Sequence, residues 1–190
     1  MRLEVVRSGI ALAALCLLAV ACSREPPSEL PATTTQRASE PKILLRGIGP
    51  GPDSLDPQKA RLIEAHAVLR DLFECLTSLG PDASPVAGAA SVWTESEDGR
   101  IYTFKLRPDL VWSNGDPLVA ADFVAGLQRL VDPATASQYA QVVDVIENAA
   151  DIIAGSKPPT ALGVEAPDAA TVIVKLTTRA QYLPGLLSHP

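Results

Sequence analysis

The sequence is poor in the residues that build metal sites and catalytic centres. Its 190 residues include three cysteines and two histidines, and aromatic side chains make up 4% of the total. Cys75 has no adjacent histidine in the sequence, so a transition metal would lack ligands. The Gly-x-Ser-x-Gly elbow of the α/β-hydrolases is absent, which disfavours the alternative of a hydrolase built from Ser188 and His189. We therefore expect no metal, no cofactor and no enzymatic activity.

Basic residues are also scarce. The chain has 16 Lys and Arg residues against 22 Asp and Glu, for a formal net charge of -6. It has no Lys/Arg cluster that could neutralise a row of phosphates, which argues against nucleic acid as a partner. Apolar residues make up 47% of the sequence, too many for a disordered protein. At this length we expect one packed domain.

Much of the apolar excess lies at the N-terminus. Arg2 and Arg7 precede an apolar run over residues 10–21, which ends in small residues before Cys22. This layout is typical of a secretory signal, and the run is shorter than the roughly 20 residues that span a bilayer. The exit resembles the lipobox of bacterial lipoproteins. We expect a signal peptide over residues 1–21 and lipid attachment at Cys22, with ordinary cleavage or a retained anchor as alternatives.

The next segment differs sharply in composition. Residues 22–42 are rich in Pro, Ser, Thr and charge, with little apolar surface to bury, which predicts a flexible tether. The folded domain then occupies residues 43–190. Cys75 lies in an apolar helical pattern, so we interpret it as a buried, inert thiol. A lipidated Cys22 would leave Cys75 alone, so we expect no internal disulfide.

Hydrophobic periodicity predicts strands and helices that alternate loosely, as in an α/β fold. A hairpin over residues 91–106 turns at Asp98-Gly99, and Tyr102, Phe104 and Leu106 alternate with polar residues in its second arm. The remaining predicted elements are a strand over 42–48, helices over 61–79, about 120–131 and 137–153, and strands over 161–166 and 171–176.

The stretch "KLRPDLVWSNGDPL", residues 105–118, is dense in charged, aromatic and turn residues. With Gly115 as the glycine of an EF-hand loop, the first and last ligand positions would hold Leu110 and Ala121, which excludes a calcium loop of that type. Asn114-Gly115 is better explained as a turn, with Trp112 buried beside it. We interpret the stretch as a scaffold corner that touches no ligand.

Several motifs in one order carry a family resemblance. They are "SLDP", "LRDLFECLTSL", "VWTESEDGRIYTFKLRPDLVWSNGDPLVAADFV", "RLVDPATASQYA" and "LGVEAPDAATVIVKL". Together they resemble the bacterial extracellular solute-binding proteins of family 5, which serve peptide and nickel importers, and within that family the oligopeptide-binding proteins. The likeness extends over nearly all of residues 43–190.

The resemblance implies the N-terminal part of a two-lobed periplasmic-binding-protein fold of type II, with a mixed sheet and packed helices. Such receptors are monomers without catalytic residues; they close around a short peptide outside the cytoplasmic membrane and deliver it to an ABC permease. The peptide-contacting positions of the family fall here on Arg61, Ile63, Glu64 and Tyr139.

Family members are far longer than this chain, so the resemblance also implies a truncated receptor with an incomplete cleft. Two alternatives stay open. The chain would otherwise be an envelope lipoprotein that binds a protein partner, or a receptor for a non-peptide solute such as a nickel complex.

Overall fold

The computed structural model describes residues 43, 45–47 and 49–190. The predicted signal peptide, Cys22 and the tether lie outside the described residues. Contacts divide the chain into units 1–45 and 46–190, and the second unit holds all the helices and strands of the described residues. Its α-helices are α1 (Ile63–Leu72), α2 (Ala120–Val131), α3 (Ala149–Ile153) and α4 (Leu183–Leu186), and its strands are β1 (Thr77–Leu79), β2 (Pro85–Ala87), β3 (Ala90–Glu95), β4 (Ile101–Leu106), β5 (Val164–Asp168) and β6 (Thr171–Lys175).

Four strands form the main sheet, in the order β3-β4-β6-β5, and each neighbouring pair is antiparallel. Strand β4 lies between β3 and β6, and one of its faces is apolar. Tyr102, Phe104 and Leu106 on that face are buried, whereas Lys105 on the opposite face is exposed. Gly99 supplies the positive backbone angle, φ 70°, that the β3–β4 turn requires. The predicted hairpin and its alternation are thereby confirmed.

Helix α2 packs on the buried face of the sheet. Its first and last residues, Ala120 and Val131, are fully or almost fully buried, and Phe123, Val124 and Leu127 pack against the same core. The Asp122 carboxylate accepts a hydrogen bond from the Val119 N–H at 2.9 Å and so stabilises the first turn. The helix ends at Asp132-Pro133, as predicted.

The predicted helix over residues 61–79 is too long. Helix α1 ends at Leu72, and Phe73 is already extended, with φ -117° and ψ 139°. The following residues pair instead with the chain around β2: the Ala89 and Ala90 N–H groups donate to the carbonyls of Cys75 and Leu76. Non-local pairing has therefore overridden a local helical pattern. Within α1, only Ala65 and Leu69 of the predicted apolar face are buried.

The predicted helix over residues 137–153 is also wrong in its middle. A 3₁₀ turn, Ala140–Val143, and helix α3 are separated by Asn148, which has a left-handed backbone with φ 67°. The residues between them run along the end of β6, where the Glu147 N–H donates to the Lys175 carbonyl at 2.9 Å. Val142, on the predicted apolar face of that helix, is 45% exposed.

Both predicted C-terminal strands are present as β5 and β6, joined by a tight turn at residues 169–170. The predicted strand over 42–48 lies partly outside the described residues, and its described positions have no strand. None of the helices in the described part of the chain is long and apolar enough to cross a membrane.

Candidate functional site

A cleft of about 1340 Å³ opens beside helix α2. It is lined by residues of α2, of the segment 186–190, of the end of α1, of the loop before α1 and of the corner at residues 109–113. The lining is mostly apolar, a property that small-molecule and peptide sites share. Large apolar side chains that line it include Leu55, Leu72, Phe73, Trp112, Phe123 and Val142.

Tyr139 lies in this cleft and contacts the segment that precedes α1. Its ring is 42% exposed, and its hydroxyl donates a hydrogen bond to the backbone carbonyl of Arg61 at 3.3 Å. Asp53 holds the same segment from the other side, since its carboxylate accepts the Arg61 N–H at 3.0 Å and the Leu62 N–H at 3.3 Å. The backbone at Arg61 is therefore fixed on both sides, although its guanidinium stays exposed.

The structure brings two of the four predicted peptide-contacting residues, Arg61 and Tyr139, into direct contact. Ile63 begins helix α1 next to them and is 79% exposed, an unusual position for a large apolar side chain. Glu64 follows in the first turn of the same helix and is half-buried. All four therefore lie at the junction of α1, its preceding loop and the Tyr139 segment.

A polar cluster anchors that loop to helix α2. The Arg129 guanidinium donates to both carboxylate oxygens of Asp56, at 2.9 and 2.6 Å, and to the Gln58 side-chain oxygen at 2.6 Å. The Gln58 amide in turn donates to the Gly126 carbonyl at 2.6 Å. The hydrogen bonds from Arg129 hold the pKa of Asp56 below its ordinary value. This cluster fixes the loop that delivers Arg61 to the site.

Sequence reasoning missed the two histidines, which the fold brings together beneath Tyr139. The His66 ring meets the Tyr139 ring edge-on, with centroids 5.8 Å apart, and meets the His189 ring in the same manner at 6.0 Å. Burial, the nearby Arg70 and His66 lower the pKa of His189. No spacing in the sequence indicates this contact, because 122 residues separate the two histidines.

The corner at residues 105–118 holds a turn, as predicted, but it does not bury Trp112. Gly115 has φ 91°, and its N–H donates to the Trp112 carbonyl at 2.8 Å, which closes the turn. The Trp112 side chain is 44% exposed and lines the cleft together with Asp109 and Ser113. The expectation that Trp112 is buried is therefore wrong, and the corner borders the cleft, so its interpretation as scaffold that touches no ligand stays a prediction.

Cys75 also borders the cleft. Burial raises the pKa of its thiol to about 11, which keeps it protonated and unreactive at neutral pH. The prediction of a buried, inert thiol agrees with this environment, although the side chain is only half-buried. Over the described residues, no three His, Cys, Asp or Glu side chains are arranged to hold a metal ion.

Comparison with known proteins identifies relatives along almost the whole sequence. The chain is 38% identical over 189 residues to the periplasmic oligopeptide-binding protein OppA of Salmonella typhimurium strain LT2, which covers 98% of this chain and 34% of that protein. It is 39% identical over 186 residues to the periplasmic murein peptide-binding protein MppA of Escherichia coli K12, covering 97% and 34%. The chain thus spans about a third of the length of these curated relatives.

Solved structures confirm the fold class. Haemophilus influenzae OppA, solved in complex with the peptide RPPGFSPFR, matches with a TM-score of 0.72 and 42% identity over 74% of this chain and 28% of that one. The unliganded open form of MppA matches with a TM-score of 0.70 and 41% identity, over 73% and 27%. The α/β fold of the described residues is accordingly that of the corresponding part of these periplasmic binding proteins.

The family model of the bacterial extracellular solute-binding proteins, family 5 Middle, matches residues 84–190, which contain the main sheet, α2 and Tyr139. This match extends over more than half of the sequence, and the relatives named for periplasmic peptide binding extend it to the residues before it. The chain belongs to the bacterial extracellular solute-binding proteins of family 5.

Proposed function

We propose that this chain supplies one wall of the ligand site in the substrate-binding component of an ABC importer, which captures short peptides outside the cytoplasmic membrane and delivers them to the permease. The observation that carries the proposal is the contact between Tyr139 and the Arg61 carbonyl at the edge of the apolar cleft. The names of the relatives support a peptide as ligand.

The geometry suits a ligand that is extended and variable in sequence. The Asp53 carboxylate accepts hydrogen bonds from the Arg61 and Leu62 N–H groups and so holds this segment in one conformation, which reduces the reorganisation needed when a ligand binds beside it. Ile63 and the Tyr139 ring offer apolar surface on either side of that backbone. A peptide held through main-chain hydrogen bonds beside roomy pockets would tolerate many side chains.

The other predicted properties belong to the same proposal. A lipid on Cys22 would keep the receptor at the membrane where the permease works, and a monomer would suffice to carry one peptide. We propose no enzymatic role. The Ser188 hydroxyl donates to the Gly185 carbonyl at 2.7 Å, an arrangement that does not direct it at His189 as a nucleophile.

Photo-crosslinking tests the proposal even where binding is weak. Tri- and tetrapeptides that carry a photoreactive phenylalanine analogue would be irradiated with the full chain, and the modified residues would be mapped by mass spectrometry. We expect crosslinks at residues 61–64 and at Tyr139, reduced by excess unlabelled tripeptide and by Tyr139→Ala. The matched control is Tyr182→Ala, because Tyr182 is 60% exposed but does not line the cleft. Crosslinks that unlabelled peptide fails to reduce would refute the proposal.

A second candidate ligand is a non-peptide amphiphile. The probable deoxycholate-binding periplasmic protein YgiS of Escherichia coli K12 is 40% identical to this chain over 141 residues. The mostly apolar lining of the cleft would accept the hydrocarbon face of such a molecule. Deoxycholate below its micellar concentration would then displace the crosslinking peptide from the cleft, or would bind to the cleft even if peptides fail to bind. No feature of the described residues favours a nickel complex or a protein partner.

A further inference from the structure

His66 and His189 are the two histidines of the chain, and 122 residues separate them in sequence. His66 lies in helix α1, whereas His189 follows helix α4, so their edge-on contact ties two distant segments together. The other neighbour of His66 is the Tyr139 ring. The three rings thus form an edge-to-face cluster, in which His66 contacts both His189 and the phenol whose hydroxyl donates to the Arg61 carbonyl.

The ring cluster offers its two imidazoles no partner that would stabilise a positive charge. The Nδ1 atom of His66 is buried and has no hydrogen-bond partner among the described residues, so a proton there would find no acceptor. Within the described part of the chain, neither histidine forms an ion pair with a carboxylate. The charged group that acts on His189 from helix α1 is Arg70, which is itself positive.

Other titratable groups line the same cleft, and within the described residues no ion pair joins them to either histidine. Glu74 is paired with Arg107, and the Asp122 carboxylate accepts the Val119 N–H, so both already have partners. The remaining titratable side chains in the cleft walls are those of Cys75, Asp109 and Tyr139. A protonated His189 would therefore face Arg70 without a neutralising carboxylate in contact.

We propose that His66 and His189 form a proton-sensitive support for Tyr139: the uncharged His189 ring packs against His66 and so holds the phenol at the edge of the cleft, and a charge on His189 weakens this contact and releases the phenol. The two histidines are positioning residues, since the group that would touch a ligand is Tyr139. The consequence for ligand binding rests on the proposed function, whereas the support itself does not.

The direction in which the support changes with pH follows from the surroundings of His189. Its pKa is lowered by burial first, and then by Arg70 and His66. A base with a lowered pKa stabilises the folded state above its unfolded pKa of about 6.5, and that stabilisation is lost as the pH falls from about 6.5 through the folded pKa. The support therefore holds at neutral pH and weakens in mild acid.

Nuclear magnetic resonance of the full chain with ¹³C-labelled histidine and tyrosine tests the support without any ligand. We expect the His189 ring signals to titrate below pH 6.5, and Tyr139 to shift over the same pH range. His66→Gln should raise the His189 midpoint, because His66 is one of the groups that lower the pKa of His189. His66→Gln/His189→Gln should leave the Tyr139 signal constant between pH 7.5 and 5.0. Tyr182, which makes no ring contact with either histidine in the described part of the chain, serves as the internal control.

Two results would overturn the support: an unchanged His189 midpoint in His66→Gln, or a Tyr139 signal that stays constant in the parent chain. Variants with an altered amide spectrum at pH 7.5 would be replaced by His66→Asn and His189→Asn. Peptide crosslinking at Tyr139 is then expected to fall several-fold between pH 7.5 and 5.0 in the parent chain. Absence of crosslinking at both pH values would count against the proposed function and leave the ring titration to decide the support.

Discussion

Replacing Arg129 should loosen the loop that carries the candidate site. In the folded chain its guanidinium makes two hydrogen bonds to Asp56 and one to Gln58, across more than 70 residues of sequence. Arg129→Gln removes the charge and the two-pronged geometry while keeping much of the stem. Asp56 would then keep its charge but lose the donor that most lowers its pKa.

The magnitude follows from the geometry and the exposure. Hydrogen bonds to charged groups contribute about 1.5–3 kcal/mol each when shielded, but the side chains of Arg129 and Asp56 are 46% and 28% exposed. Solvent screening reduces exposed pairs to about 1 kcal/mol or less, and the bidentate arrangement works in the opposite direction. We therefore expect Arg129→Gln to lower the free energy of unfolding by about 1–2 kcal/mol.

Urea unfolding of the full chain at pH 7, followed by tryptophan fluorescence, measures this loss. A double-mutant cycle with Asp56→Asn isolates the pair, and we expect a coupling of about 1 kcal/mol. Because the pKa of Asp56 is lowered, this stabilisation is present above about pH 4 and is lost as the pH falls through the folded pKa, so the coupling should shrink at pH 3.

The matched control is Arg100→Gln, which removes an exposed pair with Asp98 within the β3–β4 turn and should lower the free energy of unfolding much less than Arg129→Gln does. Equal losses for the two arginine variants, or a coupling that does not change between pH 7 and pH 3, would refute the reasoning.

Two further predictions concern glycine and cysteine. Gly88→Ala should destabilise the fold by about 1–3 kcal/mol, because a Cβ there would lie 2.7 Å from the Cys75 carbonyl oxygen. Gly126→Ala, inside helix α2 with no atom within 4 Å of the new Cβ, should stabilise it by about 1 kcal/mol, and thermal melts that fail to separate the two variants would contradict this. Cys75, whose pKa is raised to about 11, should react with iodoacetamide at pH 8 more than about a hundredfold faster in 8 M urea than in the folded chain. Peptide mapping of the alkylated Cys75 measures that ratio, and equal rates would show that burial does not protect the thiol.

Local patterns predicted the parts of the fold that local interactions determine. The β3–β4 hairpin depends on Asp98-Gly99 and on alternation within Ile101–Leu106, both visible in a short window. Helix α2 likewise has its apolar face and its Asp132-Pro133 stop within one segment. In these elements the backbone conformation and the burial require the same residues, so sequence and structure agree.

The failures share one physical cause, which is pairing between distant segments. Thr77 would continue α1 by periodicity, but its hydroxyl donates to the Pro184 carbonyl, 107 residues away. Ile146 would lie inside a helix, but it forms a bridge with Leu176 at the end of β6. The histidine pair was missed for the same reason, since no window of sequence contains both His66 and His189. Arg61 and Tyr139 were predicted as site residues only because the family resemblance supplies long-range information that periodicity lacks.

The sheet order also determines when strand β4 acquires its second neighbour during synthesis. Strand β4 pairs with β6, yet residues 107–170 must be made between them, and β6 carries the backbone groups that pair with the second edge of β4 around Phe104. At about 5–20 residues per second, synthesis leaves the β3–β4 hairpin without this neighbour for several seconds. Closing so long a loop is also entropically unfavourable until its contacts form. During that interval this edge of β4 is unpaired and open to any chaperone that recognises exposed strands, and the synthesis of β6 ends the exposure.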